Sequence, residues 1–215
     1  LPTFNSHAIE SQLHHIEGLS EHFLYFNDDV MLGNEVTPGD FFLSSGLTKF
    51  FPSPALVPLG EKTAGDPPVA AAGKNNRRLI EERYGKVLVQ KMKHMPHPLR
   101  RSVLEEIAER FPEEVSATAR NPFRANTDLS LTSSLHHHYG YLTGRSVPGL
   151  ISCSYINVGN YEHHTVLSRL LASRSHDVFC IGESADAEVP VDEQDRVLRA
   201  FLNAYFPVRS RFERD

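Results

Sequence analysis

Two adjacent carboxylates follow the short apolar run Phe23-Leu24-Tyr25-Phe26, as Asn27-Asp28-Asp29. An amide and two carboxylates at the C-terminal end of a strand offer hard oxygen ligands to Mg²⁺ or Mn²⁺, and such an ion could bridge a diphosphate. The same three residues also make an ordinary turn and helix cap, and taken alone they leave both readings open. A second group is Lys93-His94-Met95-Pro96-His97-Pro98, followed by Arg100 and Arg101. Here two imidazoles lie on a turn stiffened by proline. An imidazole titrates near neutrality and can take a proton from a hydroxyl nucleophile, although composition alone favours a structural or solvent-facing pair. The third is Arg124 in Asn121-Pro122-Phe123-Arg124, a guanidinium suited to bidentate contact with a phosphate. Asp128 is placed to hold it, while the plain alternative is a surface arginine.

The polar residues Asn5, Ser6 and His7 stand at a predicted helix N-terminus, where free backbone N–H groups and the dipole favour an anion. Capping explains them nearly as well. The runs His136-His137-His138 and His163-His164 could be ligands, but they read better as helix-face and loop residues. Cys180 reads as a buried strand residue, with no base near it in sequence to make it a nucleophile.

The elements that must position these groups alternate along the chain. Asn5 or Ser6 caps a helix with apolar positions Ile9, Leu13 and Ile16, and Gly18 is placed to end it. Phe23 to Phe26 is predicted as a buried strand. Residues 33–73 are rich in Pro and Gly and read as an irregular loop excursion, a lid or linker. Asn76 to Tyr84 reads as a helix closed by Gly85, and Pro98 as the first position of another carrying Leu99, Val103, Leu104, Ile107 and Phe111. A third helix is predicted from near Thr127, with Leu129, Leu131 and Leu135. Strands are predicted at Leu150 to Asn157 and Val178 to Ile181, with a final helix from about Asp192 that Pro207 stops. The fold class that follows is α/β, built around a few short strands.

Composition narrows the function. The 215 residues carry 22 Lys+Arg against 27 Asp+Glu, a formal charge of −5, and the basic residues scatter rather than form a stripe. Nucleic acid is therefore not the expected partner. No apolar run is long enough to span a membrane, and no signal peptide opens the chain. Cys153 and Cys180 fit a reduced cytoplasmic protein, with one bridge left open. The chain opens on Leu1 directly into dense motifs, so it reads as a fragment of a longer protein.

Taken in order, the residues Leu1-Pro2-Thr3-Phe4-Asn5-Ser6-His7-Ala8-Ile9-Glu10, then Ile16-Glu17-Gly18-Leu19-Ser20, then Tyr25-Phe26-Asn27-Asp28-Asp29-Val30 resemble the second signature region of the Stealth family. His94-Met95-Pro96-His97, the stretch Arg110-Phe111-Pro112-Glu113-Glu114, and Phe123-Arg124 with Asp128-Leu129 resemble the third. Phe179-Cys180-Ile181 and the helix running into Phe206-Pro207 resemble the fourth. The family contains bacterial capsule and exopolysaccharide sugar-phosphate transferases and the N-acetylglucosamine-1-phosphotransferase of the mannose 6-phosphate mark. The Arg77-to-Glu82 helix looks most like the actinobacterial members. Two departures stand out: the family's first region, with its Trp, is missing from a chain that has no Trp, and Gly182-Glu183 stands where an Asn-Asp pair usually follows the cysteine.

The resemblance implies a glycosyltransferase-A-like nucleotide-sugar core with helical additions, its N-terminal part missing, and residues 1–215 as a phosphotransferase catalytic domain. It implies transfer of a hexose or N-acetylhexosamine 1-phosphate from a UDP-sugar such as UDP-N-acetylglucosamine to a hydroxyl of a saccharide acceptor, with release of UMP. His94 is then the general base, His97 an orienting or substitute imidazole, and Arg124 the group on the phosphoryl oxygens. Asp28 and Asp29, helped by Asn27, hold Mg²⁺ or Mn²⁺, and Asn5, Ser6, Asn75 and Asn76 bind the donor. The expected location is the cytoplasm, with peripheral attachment to the inner face of the membrane left open. A metal-dependent glycosyltransferase releasing UDP and an inactive nucleotide-sugar or carbohydrate-binding module are the alternatives.

Overall fold

The computed structural model describes residues 2–183 and 187–211; Leu1, quoted in the first motif, lies outside them. In chain order the elements are α1 (Ser6–Glu10), β1 (His22–Tyr25), β2 (Val30–Leu32), α2 (Pro38–Phe41), β3 (Thr48–Phe50), β4 (Pro52–Leu56) and α3 (Pro68–Tyr84). Next come β5 (Gln90–Met92), β6 (His97–Arg100), α4 (Arg101–Arg110), α5 (Pro112–Arg120), α6 (His136–Leu142) and β7 (Ser146–Pro148). The chain continues with β8 (Cys153–Asn157), α7 (His163–Ser173), β9 (Val178–Gly182) and α8 (Val191–Tyr205). The class is mixed α/β, as expected. The chain divides into two compact units, one of residues up to 26 with 37–150, the other of 27–36 with 151 onward.

In the first unit the strands pair two by two: β1 with β6 and β4 with β5 antiparallel, β3 with β7 parallel. Its core is mostly helical, with Leu79 and Ile80 of α3, Val103, Leu104 and Ile107 of α4, and Leu131, Leu135 and Tyr139 packed together. The buried stripe of α3 runs Ala71, Ala72, Asn75, Asn76, Leu79, Ile80, the spacing of one helix face. Gly85 ends that helix at φ +63°, where its N–H reaches the Glu81 carbonyl at 2.8 Å, and glycine takes this left-handed conformation without a Cβ clash.

Several expectations are corrected here. The helix at Asn76 begins at Pro68 instead, so the 33–73 stretch is not a loop throughout: it also holds α2, β3 and β4. β3 pairs with Ser146–Pro148 and β4 with Gln90–Met92, partners remote in sequence that local composition cannot reveal. Pro98 opens no helix, because it lies in β6 opposite Leu24 and α4 starts at Arg101. A two-stranded ladder tolerates proline, whose missing N–H needs no second neighbour. The first helix stops at Glu10, and Ile9 and Ile16 are 50% and 52% exposed, leaving only Leu13 of the three in the core. No helix starts at Thr127; a wide π-helical turn at Leu131–Leu135 leads into α6. The strand at Phe23 to Phe26 is half-buried rather than buried and ends at Tyr25.

In the second unit β9 lies between β2, antiparallel, and β8, parallel. The run Val178-Phe179-Cys180-Ile181 is buried on both faces, which is what a central strand demands. Phe179 and Ile181 pack with Ile156, Leu167, Leu170, Phe201 and Tyr205 of β8, α7 and α8. Cys153 and Cys180 are free thiols. No helix among the described residues is long and apolar enough to cross a membrane.

Candidate active site

Arg124 sits on an exposed turn, and its Nη2 donates to Ser6 Oγ at 2.9 Å. The expected partner Asp128 does other work. Its Oδ2 accepts from Asn5 Nδ2 at 2.9 Å and from the Ala125 N–H at 2.9 Å, and its Oδ1 accepts from Asn121 Nδ2 at 2.6 Å. Asp128 is fully buried, and a buried carboxylate requires such donors. His7 Nδ1 lies 3.4 Å from the same carboxylate. Burial and then the Arg124 charge lower the pKa of His7 below the ordinary histidine value.

The four residues expected to bind the donor all converge on this turn. Asn5 caps α1, accepting from the His7 N–H at 3.1 Å, and Asn5 Nδ2 also donates to the carbonyls of Asn121 and Phe123. Asn75 Nδ2 donates to the carbonyls of Asn126 and Asp128, and Asn76 Nδ2 to that of Ser130 at 2.8 Å. The amide N–H groups of these asparagines are thus engaged by the backbone of residues 121–130 and by the Asp128 carboxylate, and the Ser6 hydroxyl accepts from Arg124. Asn76 Oδ1 is buried with no hydrogen-bond partner among the described residues. What the four residues visibly do is fix the segment that presents Arg124.

His94 is half-buried and lines a cavity of about 170 Å³. His97, three residues on, is almost wholly enclosed, opposite Tyr25 in the β1–β6 ladder. Its Nδ1 is 3.2 Å from Nε2 of His137, also buried. Burial first, then the neighbouring His94 and His136, pushes the pKa of His97 down to about 3. A ring so enclosed is placed to orient a neighbour rather than to meet an acceptor hydroxyl. His136, buried beside it, accepts the Arg100 N–H at 2.9 Å, and burial pushes it to about 3 as well. His136, His137 and His138 are therefore helix residues, as read, and the first two belong to the core. His163 and His164 open α7.

Glu10, quoted above only as part of a motif, has the surroundings of a functional residue. It is buried, accepts from Thr132 Oγ1 at 2.7 Å and Tyr25 OH at 3.3 Å, and burial raises its pKa. Arg124 and His94 are both near enough to oppose that rise. Its partners Thr132 and Tyr25 lie 122 and 15 positions away, so local pattern does not show its burial.

In the second unit, Asn27, Asp28 and Asp29 form the turn entering β2, where the Ile181 N–H donates to the Asp29 carbonyl at 2.9 Å and extends the β2–β9 pairing. Asp28 is exposed and Asp29 half-buried. Asp29 Oδ2 accepts from Cys180 Sγ at 3.2 Å. Burial and the Asp29 charge raise the thiol pKa, so Cys180 is a protonated donor rather than a nucleophile, matching the strand role read for it. Two carboxylates and an amide in an open turn fit a hard divalent cation. At Gly182, a Cβ would lie 2.4 Å from the Tyr155 hydroxyl and 2.9 Å from its Cζ. The tyrosine ring thus fills the space that an Asn at this position needs.

The first unit presents a half-buried imidazole and a guanidinium bonded to Ser6, and the second, by itself, an acidic turn; groups of each kind serve in phosphoryl transfer. The chain matches three family descriptions: Stealth protein conserved region 2 over residues 1–50, conserved region 3 over 93–141 and conserved region 4 over 168–215. It belongs to the Stealth family. An exopolysaccharide phosphotransferase of Streptomyces coelicolor is 62% identical over the whole chain, which spans 23% of that relative. A second from the same organism is 56% identical, with 36% of its length spanned. The exopolysaccharide phosphotransferase CpsY of Mycobacterium tuberculosis is 40% identical, again over the whole chain and 40% of its own length. The chain thus spans well under half of these relatives.

Proposed function

We propose that the protein transfers a sugar 1-phosphate from a UDP-sugar to a saccharide hydroxyl, releasing UMP, in exopolysaccharide synthesis. The observation that carries this reading is Arg124, exposed at its tip, held by Ser6 and set on a turn pinned by Asp128 and Asn5. Such a fixed cation is what a transferring phosphoryl group requires, since stabilisation costs no reorganisation when the charge is already in place. The names of the relatives, exopolysaccharide phosphotransferase, support the same chemistry.

In the proposed step the acceptor oxygen attacks the β-phosphorus of the donor, forming a new P–O bond. The P–O bond to UMP breaks, and UMP leaves with the bonding electrons. His94 takes the acceptor proton, His97 orients the His94 segment from within the core, and Arg124 neutralises the equatorial oxygens. Asn5, Ser6, Asn75 and Asn76 act on the donor through the turn they fix. Asp28 and Asp29, with Asn27, would hold the Mg²⁺ or Mn²⁺ that neutralises the diphosphate. The parallel β8–α7–β9 unit beside the acidic turn supports a glycosyltransferase-A-like core in the whole protein. The reading puts the reaction in the cytoplasm, where nucleotide sugars are made, at or near the inner face of the membrane.

Single replacements in the full-length protein test these roles. His94→Ala and Arg124→Ala should each lower turnover more than 100-fold with the melting temperature unchanged, and EDTA should abolish it reversibly. Near-normal turnover in either variant contradicts the assignment.

A further inference from the structure

The cavity beside His94 has the size and lining of a sugar site. At about 170 Å³ it falls below the roughly 300–1,000 Å³ of sites for drug-sized ligands, the scale of a single sugar ring. One wall is apolar, made by Val57, Val69 and Ala70. The other side carries Ser130, Ser133 and Ser134, with Lys91, Lys93 and His94 also in the lining. A pyranose has this same division, an apolar C–H face and a rim of hydroxyls.

Both walls are held from behind. Arg77, buried, donates to the carbonyls of Val57 at 2.9 Å, Pro58 at 2.9 Å and Leu88 at 2.7 Å, which fixes the apolar side against α3. On the polar side Asn76 holds the Ser130 carbonyl, and the Ser130 and Ser133 hydroxyls lie 2.6 Å apart. A preformed wall of this kind loses little freedom when a ligand enters. Arg124 is not among the lining residues, which favours the acceptor's ring over the one attached to the phosphorus that Arg124 serves.

We infer that this cavity binds one pyranose ring of the acceptor saccharide, with the attacking hydroxyl directed at His94. The inference rests on the proposed role of His94 as base. Ring placement would explain how a base on a strand-end turn selects one hydroxyl among several, because orientation rather than basicity then sets the choice.

The test is saturation-transfer NMR on the full-length protein with the methyl glycosides of glucose, galactose, mannose and N-acetylglucosamine. Transfer to at least one glycoside is expected, with at least a tenfold loss of affinity in Ala70→Leu and in Ser134→Leu, each of which fills the cavity from a different element. In assays with a saccharide acceptor both variants should raise the acceptor KM tenfold or more and leave the donor KM unchanged. Circular dichroism identifies any variant that does not fold, and the other then decides. No transfer to any glycoside, unchanged affinity in the folded variants, or displacement of the glycoside by UMP overturns the inference. Release of UDP instead of UMP would instead sink the phosphotransfer reading, without touching the binding result.

Discussion

Asn5 Nδ2 donates to Asp128 Oδ2 at 2.9 Å, tying the cap of the first helix to the turn that presents Arg124 across 123 positions of sequence. Asp128→Ala leaves the Ala125 N–H without its acceptor and takes one acceptor from each of Asn5 and Asn121. An unsatisfied buried donor costs about 1–3 kcal/mol, and partial rehydration leaves a net loss of about 3 kcal/mol, read from urea midpoints. A change under 0.5 kcal/mol would mean that the network does not hold the turn.

Ser6→Ala removes the hydroxyl that fixes the guanidinium but leaves Arg124 itself. Turnover should fall about 5- to 10-fold, against more than 100-fold for Arg124→Ala. Because the bond is exposed, neither change should move the melting temperature by more than a degree or two. Equal losses in the two variants would show that Ser6 acts on the substrate itself rather than through Arg124.

Glu10→Gln keeps the shape and one acceptor oxygen for the Thr132 and Tyr25 hydroxyls, puts an amide donor in place of the other, and removes the carboxyl group near Arg124 and His94. Stability should stay within about 1 kcal/mol while kcat falls at least tenfold. An unchanged kcat would make Glu10 a packing residue only.

Acid should unfold the first unit early. His97 and His136 titrate near 3 in the fold and near the ordinary 6.5 when unfolded. Folded values below the unfolded one mean that stability is full above pH 6.5 and falls as pH drops from there toward 3, since only the unfolded chain takes up protons. One pH unit below 6.5 each histidine costs up to about 1.4 kcal/mol. Glu10, raised by burial, works in the opposite sense and trims the slope. Urea midpoints between pH 7.5 and 5.5 should fall, and His136→Gln should flatten the fall; a flat profile in the unsubstituted protein would contradict the buried neutral imidazoles.

Gly182→Asn puts a side chain against the Tyr155 hydroxyl. Because Tyr155 is 58% exposed and can swing aside, the loss of stability should stay at about 1 kcal/mol, and Tyr155→Ala in the same chain should recover most of that. Absence of recovery would place the strain elsewhere.

What the sequence disclosed and what it concealed divide along one physical line. α8 and the C-terminal end of α3 were legible because their signals are local: apolar spacing, Gly85 at the cap, Pro207 past the end. β3 and β4 were hidden because their pairing partners lie at residues 146–148 and 90–92. Asn75 and Asn76 have the residue type of donor ligands, but the fold puts them on the buried stripe of α3, where their amides serve carbonyls of residues 126–130. Arg124 and His94 were found from motif and residue chemistry, whereas the burial of Glu10 and the pairing of His97 with His137 depend on contacts between distant segments.

The most direct test is the nucleotide product. The full-length protein is incubated with UDP-N-acetylglucosamine, an oligosaccharide acceptor and Mg²⁺ or Mn²⁺, and the released nucleotide is identified by mass spectrometry. Attack at phosphorus predicts UMP together with an acceptor heavier by one N-acetylhexosamine phosphate; UDP with an acceptor heavier by the sugar alone would place the attack at the sugar carbon and contradict the account.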